Sequence, residues 1–337
     1  MRVLPRRQPH RCSRLRLRLA LRADWGAPPL RHPQTFAAYI SMHREQCKVL
    51  NQIEVAPKHF ILTLKSKQIA REAKPGQFVQ ILCEDATEPL LPRPFSYLSV
   101  EKNQFSILYH VVGKGTAILA KKAKGDTLWV LGSCGNGFSL SDYDKQLFMV
   151  GGGVGIPPLH HWAKELIKNK FPKKNIHIFL GARDKSLLLC EKEFKTLGVN
   201  LHLATDNGSK GHKGFITDVL NENMKKLAAG DAEAGRPSRR GARAVGVDAS
   251  TDGAAAAAGP AAMYAIYTCG PTPMMRAVSE IAQKFSIPCQ VSVEVPMACG
   301  YGACLGCAVP VREGESHRYA IACCEGPVFD GAKLLWN

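Results

Sequence analysis

Short apolar runs, each about five to eight residues long and separated by glycine, proline or charged residues, fill residues 43–143. They are rich in β-branched and aromatic residues, as is typical of strands. Because glycine and proline punctuate them, the region predicts a small antiparallel β-barrel. The runs are FILTL, QFVQIL, FSYLSV, FSILYHVV and TLWVLG.

Residues 144–285 follow a different rhythm, in which short apolar strands alternate with amphipathic helical stretches. Strand-to-helix alternation of this kind is typical of βαβ units and predicts a parallel, Rossmann-like sheet. The apolar strands are QLFMV, NIHIFLGA and AIYTCGP, and the helical stretches are PLHHWAKELIKN, LLLCEKEFKTLG and PMMRAVSEIAQKF. His160 and His161 lie within the first helical stretch, where packing or surface exposure is more typical than a ligand role.

A short tail, 286–337, is rich in cysteine and glycine. The pattern therefore predicts an α+β multidomain protein, with a barrel over 43–143, an α/β domain over 144–285 and a small C-terminal domain. Two further segments match neither period. We predict a disordered arginine-rich extension over 1–42 and a low-complexity, disordered insert over 228–262, because such compositions bury too little apolar surface to fold.

The net charge of +17 raises the question of nucleic-acid binding. Residues 1–41 hold nine arginines, no lysine and one acidic residue, so this segment alone accounts for about +8 of the excess. The segment lacks the interleaved aromatic residues that typify nucleic-acid surfaces, so nucleic-acid binding is disfavoured. No run reaches the roughly 20 apolar residues that a membrane span needs, and no secretion signal is recognisable, so we expect a cytoplasmic protein that does not enter the membrane.

Three cysteines near the C-terminus, Cys299, Cys304 and Cys307, have C-x4-C-x2-C spacing, and a fourth follows at Cys323. This spacing is typical of plant-type [2Fe–2S] sites. The glycines between them give a tight loop the backbone freedom to point several thiolates at one cluster. The alternative is zinc, which usually shows paired C-x2-C or Cys/His spacing. Spacing alone does not decide between Cys323 and its neighbour Cys324 as the fourth ligand.

A second motif is the glycine turn GGGVGIP between strand QLFMV and the next helix. At a strand-to-helix turn, glycine lets the backbone approach a pyrophosphate at the helix N-terminus. The alternative is a simple tight turn. Cys269 ends another strand of the same region, at the sheet edge where ligands of parallel sheets bind. The candidate residues of the turn are Gly152, Gly153 and Gly155.

The barrel region carries two weaker motifs. In RPFS the arginine offers a planar fork for phosphate, and the neighbouring phenylalanine and serine could meet the face and edge of a ring. By itself this is also an ordinary strand sequence. The turn GKGT opens a helix and is a second candidate phosphate site. The candidate residues of the two motifs are Arg93, Pro94, Phe95, Ser96, Gly113, Gly115 and Thr116.

Taken together, RPFS, GKGT, GNGF, GGGVGIPP and CGPTPMM occur in the order seen in the ferredoxin–NADP reductase superfamily. Within it, MACGYGACLGC followed by CCEGPVFDG closely resembles the electron-transfer subunits of NAD-dependent (type B) dihydroorotate dehydrogenase. The resemblance covers about 43–227 and 263–332. One departure is GSCG at 132–135, where relatives commonly have GPLG; another is Phe95, where relatives often carry tyrosine.

The resemblance implies a role for each motif. Arg93 would lie near the FAD diphosphate and Ser96 near the flavin ring, within the RPFS motif that also holds Pro94 and Phe95. The GKGT turn would form the second FAD phosphate segment, and the glycine turn would receive the nicotinamide dinucleotide. Cys269 would lie near the nicotinamide. The family pattern makes Cys323 the fourth cluster ligand.

The resemblance also implies a function and a partner. A catalytic subunit with FMN would oxidise dihydroorotate, and electrons would pass through the cluster and FAD to NAD⁺, with two copies of each subunit in a heterotetramer. The rivals are an electron-transfer subunit of a sulfide reductase, a hydrogenase or an NADH–ferredoxin transhydrogenase. A rival of another class is a zinc-binding regulatory or nucleic-acid-binding protein.

Overall fold

The computed structural model describes residues 42–85, 87–141, 144–233 and 263–336. The predicted arginine-rich extension up to residue 41, and the predicted insert from residue 234 onward, lie outside the described residues. The boundaries proposed between domains remain predictions, apart from the two differences reported below.

The first six strands close into an antiparallel barrel with the order β1-β2-β5-β4-β3-β6, which confirms the predicted barrel. Its interior is filled by apolar side chains that include Val79, Tyr97 and Ile107. The elements are β1 (His43–Ala56), β2 (His59–Lys65), α1 (Lys67–Glu72), β3 (Phe78–Leu82), β4 (Arg93–Glu101), β5 (Gln104–His110), α2 (Lys114–Leu119) and β6 (Thr127–Cys134).

Strand β1 has no counterpart among the runs expected from the sequence. It is the longest strand of the barrel, at 14 residues, yet only Cys47 and Val49 in it are buried. Polar and charged residues occupy most of its other positions, so no apolar run marks it. Its pairing partners, β2 and β6, both carry strong apolar patterns and supply the barrel contacts that keep it in place.

The second half of the chain forms a seven-stranded sheet with the order β10-β9-β8-β7-β11-β12-β15, which confirms the predicted α/β architecture. All its strand pairs are parallel except the last, in which β15 runs antiparallel to β12. Strands β13 and β14 form a separate two-stranded sheet. The elements of this half of the chain are β7 (Gln146–Gly152), α3 (Ile156–Lys168), β8 (Ile176–Ala182), α4 (Glu191–Leu197), β9 (Asn200–Thr205), β10 (His212–Lys213), α5 (Ile216–Glu233), β11 (Tyr264–Cys269), α6 (Thr272–Lys284), β12 (Cys289–Ser292), β13 (Ala308–Glu313), β14 (Ser316–Ile321) and β15 (Val328–Asp330).

Helix α3 packs against barrel strand β4 and joins the two halves. His160 and His161 on this helix are both buried, and His160 Nδ1 donates a hydrogen bond to the Leu98 carbonyl at 2.8 Å. The His161 ring lies edge-on to Tyr97, with the ring centroids 6.0 Å apart. The two histidines therefore pack between the halves, in keeping with the packing role favoured from the sequence.

The structure differs from the predicted boundaries at two places. Strand β12 pairs with β11, so the sheet continues past residue 285 into the segment assigned to the C-terminal domain. Helix α5 continues to Glu233, so the first residues of the predicted insert 228–262 are helical. Helix α5 extends into the predicted insert because Leu227, Ala228 and Ala229 are strong helix formers, which continue its preceding turn.

No helix among the described residues combines the length and the apolar character that crossing a membrane requires.

Candidate functional site

A cavity of about 780 Å³ opens at the carboxyl ends of the parallel strands β7, β8, β9 and β11. This is the edge at which ligands of doubly wound sheets bind. Gly152 and Gly153 of the predicted glycine turn line the cavity. Gly153 has a φ of +55°, and a Cβ built there would project into open space. The backbone of this turn is therefore accessible to a bound phosphate.

Gly155 and Cys269 lie close to this cavity but do not line it. A Cβ built on Gly155 would come within 2.4 Å of Gly270 Cα, so glycine is required for the two turns to approach each other. Cys269 is buried, and its Sγ lies 4.0 Å from Glu294 Oε1. Burial raises the pKa of the Cys269 thiol well above its usual value, with the nearby Glu294 adding to the effect. The cysteine is thus a neutral thiol beside the cavity.

Two charged residues follow strands that end at the same cavity. Arg183 comes directly after β8, and Asp206 directly after β9, and both line the cavity. The Asp206 amide donates to the Ala182 carbonyl at 3.0 Å, which ties the two strand ends together. Neither residue was expected from the sequence, although a charged residue directly after a buried strand is a signal that could have found them.

A second cavity, of about 430 Å³, lies on the barrel and is lined by Arg93, Pro94, Phe95, Ser96 and Thr116. All four residues of RPFS therefore lie together with one residue of GKGT.

The Arg93 side chain runs against the GKGT turn. A Cβ built on Gly115 would lie 3.3 Å from Arg93 Nε, so the absent side chain leaves room for the guanidinium. Arg93 Nη1 donates to the Leu91 carbonyl at 2.7 Å. Among the ion pairs of the described residues none includes Arg93, which leaves its positive charge available to an anionic ligand.

Thr116 holds the GKGT turn in shape. Its Oγ1 accepts hydrogen bonds from the Val112 and Gly113 amides, at 3.0 and 3.2 Å, and donates to the Gly113 carbonyl. This arrangement fixes the start of α2. The motif thus combines a guanidinium, a glycine cradle and a braced turn, which is a donor set that fits a diphosphate.

The two cavities meet. His110, Val154 and Glu294 line both of them. The Glu294 side chain is exposed where the two cavities meet, and desolvation there raises the pKa of its carboxyl above its usual value. The ring of His110 stacks on that of His59, with centroids 4.2 Å apart and an interplanar angle of 2°. These residues were not expected from the sequence, because only the tertiary fold brings them to one place.

The four cysteines of the C-terminal loop form two neighbouring pairs. Cys299 and Cys304 interact through their side chains. The amide of Cys323 donates to Cys307 Sγ at 3.4 Å, and the Gly302 amide donates to Cys323 Sγ at 3.1 Å, which connects the pairs. We call the segment from Met297 to Cys307 the cluster loop.

Amide donors surround the thiols of the cluster loop. Burial raises the pKa of Cys299, but the amides of Tyr301, Cys304 and Ala303 outweigh it and lower the pKa to about 7. The amides thus ease ionisation of Cys299, whereas the hydrogen bond with Cys324 and burial raise the pKa of Cys323. Four thiols with inward amides fit an iron–sulfur cluster, whose sulfurs need such donors. No three side chains within the described ranges converge as a ready-made site for a single ion.

Cys323 and Cys324 are adjacent, and the positions of their sulfur atoms make both candidates for the fourth cluster ligand. Their Sγ atoms lie 3.7 Å apart. Cys323 is buried and contacts both Gly302 and Cys307, whereas Cys324 is half-buried and its carbonyl accepts from Asn136 Nδ2 at 3.0 Å. Cys323 therefore has the contacts with the cluster loop, and its assignment as the fourth ligand remains a prediction.

Two family models match the chain. The iron-sulfur cluster binding domain of dihydroorotate dehydrogenase B matches residues 294–335, and the oxidoreductase NAD-binding domain matches residues 149–280. The first match contains the whole cluster loop from Cys299 onward together with Cys323. The second contains the glycine turn and Cys269.

Several characterised proteins are similar over most of the chain. The electron transfer subunit of dihydroorotate dehydrogenase B (NAD(+)) from Desulforamulus reducens is 33% identical over 86% of this chain and 97% of its own length. The corresponding subunit from Geobacillus kaustophilus is 35% identical over 87% of this chain and 98% of its own length.

Solved structures agree on the architecture. An NADH-dependent reduced ferredoxin–NADP oxidoreductase superposes with a TM-score of 0.65 at 29% identity, covering 86% of this chain and 90% of its own. A ferredoxin–NADP⁺ reductase from Neisseria gonorrhoeae, solved with FAD and NADP, superposes with a TM-score of 0.52 at 17% identity, covering 72% of this chain and 91% of its own. The second likeness concerns the fold alone.

The identity to these subunits, the length over which it extends and the two matching domains agree with the arrangement of cavities and cysteines. The molecule has an FAD- and NAD-binding reductase fold and an iron–sulfur cluster binding domain, and it is an oxidoreductase subunit. The chain belongs to the family of electron transfer subunits of NAD⁺-linked dihydroorotate dehydrogenase B.

Proposed function

We propose that this chain carries electrons to NAD⁺ from a catalytic partner that holds FMN and oxidises dihydroorotate to orotate in pyrimidine biosynthesis. The order of the three sites carries the proposal. The NAD cavity meets the flavin cavity at His110, Val154 and Glu294. Met297 and Pro327, which flank the cysteine segment, also line the flavin cavity.

FAD, when bound, supplies the exchange between single electrons and a hydride pair. Arg93, Gly115 and the braced turn would hold its diphosphate, and Ser96 and Phe95 would border its ring. Desolvation raises the pKa of the Glu294 carboxyl, which lies at the meeting point of the two cavities. The neighbouring Cys269 thiol is neutral and adds no fixed negative charge where the nicotinamide must approach the flavin.

We assign the cluster as [2Fe–2S], with Cys299 and Cys304 as one pair of ligands and Cys307 and Cys323 as the other. The C-x4-C-x2-C spacing and the pairing of the thiols support the assignment. The amides of Gly302, Tyr301 and Ala303 would stabilise the negative charge of the site.

We further propose that the cavity prefers NAD to NADP. Asp206 follows β9 and lines the cavity, where its carboxylate would accept hydrogen bonds from the adenosine ribose. A carboxylate there would repel the 2′-phosphate of NADP. Arg183 lies on the same wall and would contact the pyrophosphate or the adenine face.

Substitution of Asp206 by serine should shift this preference. We expect kcat/KM for NADH to fall by about tenfold, the loss of one charge-assisted hydrogen bond, and kcat/KM for NADPH to rise because the repulsion is removed. Steady-state oxidation of both cofactors with an artificial acceptor measures the ratio. The matched control is Asp184→Ser, since the Asp184 carboxylate accepts from the Ser186 amide at 2.7 Å instead. An unchanged NADH/NADPH ratio in Asp206→Ser would contradict the proposal.

The catalytic partner would dock on the exposed side of the cluster loop. Tyr301 and Leu305 are 42% and 61% exposed there, although both are large and apolar. Apolar side chains surrounding an exposed Cys304 are suited to a contact that excludes water from an electron-transfer route. We propose a heterotetramer with two copies of each subunit, in the reducing cytoplasm, where the buried free thiols of the core stay reduced.

The decisive experiment is to co-express the chain with an FMN-containing dihydroorotate dehydrogenase subunit. We expect the two to purify together and to reduce NAD⁺ when dihydroorotate is added. The purified chain alone should show flavin and iron–sulfur absorption and oxidise NADH with an artificial acceptor, but should not oxidise dihydroorotate. A chain that carries both cofactors but neither purifies with this subunit nor reduces NAD⁺ with it when dihydroorotate is added would contradict the assignment of the partner.

The likeness to the NADH-dependent ferredoxin–NADP oxidoreductase favours one second candidate. That structure covers 86% of this chain at 29% identity. The alternative function is the same electron route joined to a different partner. Reduced ferredoxin in place of dihydroorotate as the electron source distinguishes the two.

A further inference from the structure

Gln80 is a buried side-chain amide in barrel strand β3 that has no hydrogen-bond partner within the described part of the chain. Along β3, Val79 and Ile81 belong to the barrel interior, so Gln80 projects from the outer face. It is only 2% exposed, yet both Nε2 and Oε1 are buried without a hydrogen bond among the described residues. A buried amide without hydrogen bonds destabilises the fold, so its retention calls for a ligand.

The cluster loop covers this amide. Gly300, which directly follows Cys299, lies against it: a Cβ built on Gly300 would come within 2.5 Å of Gln80 Cγ and 3.1 Å of Nε2. Gly300 also has a φ of +82°, so both the backbone and the lack of space require glycine. The Gln80 amide is therefore placed directly beside the loop that bears the proposed ligands.

The same strand also borders the flavin cavity. Gln80 pairs with Pro94 across β3 and β4, and Phe78, two residues earlier on the same face, pairs with Ser96. Phe78, Pro94 and Ser96 line the flavin cavity. Gln80 thus lies in the wall that separates this cavity from the cluster loop.

We propose that Gln80 is a positioning residue for the cluster, with its Nε2–H group donating to a sulfur of the cluster site and thereby raising the cluster's reduction potential. This rests on the proposed [2Fe–2S] assignment. Four thiolates and the cluster carry net negative charge, which a donor stabilises further when an electron is added. Glutamine supplies that donor without a charge of its own. The hydrogen bond of a buried amide is electrostatically stronger than that of an amide in water.

The test is a redox titration of the cluster in the full-length protein with flavin and iron bound, followed by electron paramagnetic resonance. Gln80→Leu keeps the volume and removes the donor. At a fixed potential we expect the ratio of reduced to oxidised cluster to fall about tenfold, which is about 59 mV for a one-electron couple. Iron content and flavin content should remain close to those of the unsubstituted protein.

Gln290→Leu is the matched control. The Gln290 amide is fully engaged by Ser139, donating to its carbonyl at 2.8 Å and accepting from its amide at 3.0 Å, and it lies in β12 rather than beside the cluster loop. The same chemical change there should leave the cluster potential unchanged. If Gln80→Leu fails to retain iron, Gln80→Glu decides, because it keeps the length but replaces the donor with acceptors; we expect a lower potential.

An unchanged cluster potential in the variant that retains iron would overturn the proposal. A shift of the flavin potential with a constant cluster potential would overturn it as well, since it would assign the amide to the flavin cavity. The absence of a [2Fe–2S] signal in the unsubstituted protein is a different result, because it would overturn the cluster assignment itself.

Discussion

Replacement of Cys304 by serine is expected to remove the cluster iron and to abolish electron transfer to the catalytic partner. Cys304 is the proposed ligand that lies exposed, whereas Cys307 and Cys323 are 3% and 2% exposed. The substitution therefore removes a thiolate without opening a cavity in the core. Reduction of bound FAD by NADH should persist, because Cys304 lines neither the flavin cavity nor the nicotinamide cavity.

Iron analysis, the visible spectrum and stopped-flow reduction of FAD by NADH measure these effects separately. Cys324→Ser is the control, because it removes the neighbouring thiol and should leave iron content and electron transfer almost unchanged. Full iron retention in Cys304→Ser would be incompatible with the proposed ligand set. Loss of iron in Cys324→Ser would move the fourth ligand by one residue.

Replacement of Arg93 by alanine is expected to weaken FAD binding by about tenfold to a hundredfold. The guanidinium lies against Gly115 and has no carboxylate partner among the described ion pairs. A charge-assisted hydrogen bond to a diphosphate contributes about 1.5–3 kcal/mol, which corresponds to that range in Kd. Arg93→Lys should have an intermediate effect, because it keeps the charge and loses the planar fork.

Flavin fluorescence on dilution measures the dissociation constant. The control is Arg276→Ala, in which the lost arginine pairs with Glu280 at 2.9 Å on an exposed face of α6 and lies outside the flavin cavity. An exposed pair of this kind contributes at most about 1 kcal/mol to stability, so FAD binding should not change. Equal FAD affinity in Arg93→Ala and the control would place the diphosphate elsewhere.

The features that could be predicted from the sequence are those whose residues lie close together along the chain. The cysteine spacing lies within one loop, and RPFS lies within one strand, so short segments already contain the chemistry. The barrel strands with apolar runs were also predictable. Strand β1 was not, because it is held by its neighbours and has only two buried positions, Cys47 and Val49, as its own signal.

Residues that function through long-range proximity were not predictable in the same way. Glu294 borders both cavities because β12 is the neighbour of β11, and a single acidic residue after a short strand has no periodic pattern. Asp206 reaches the NAD cavity only through the order of the parallel strands. Gln80 looks like any polar residue in a strand until the cluster loop covers it. These sites depend on topology, which a local pattern does not encode.

Strand β15 changes how the C-terminal region must be regarded as a building block. It pairs with β12 as the last strand of the NAD sheet, and Pro327, just before it, lines the flavin cavity. Asn136, which follows barrel strand β6, donates hydrogen bonds from its side-chain amide to the carbonyls of Cys324 and Glu325. The iron–sulfur region is therefore not an independent domain that can be transferred by itself. Grafting it onto another reductase would require the recipient to supply a matching sheet edge and a barrel anchor, and excising it would open the flavin site to water.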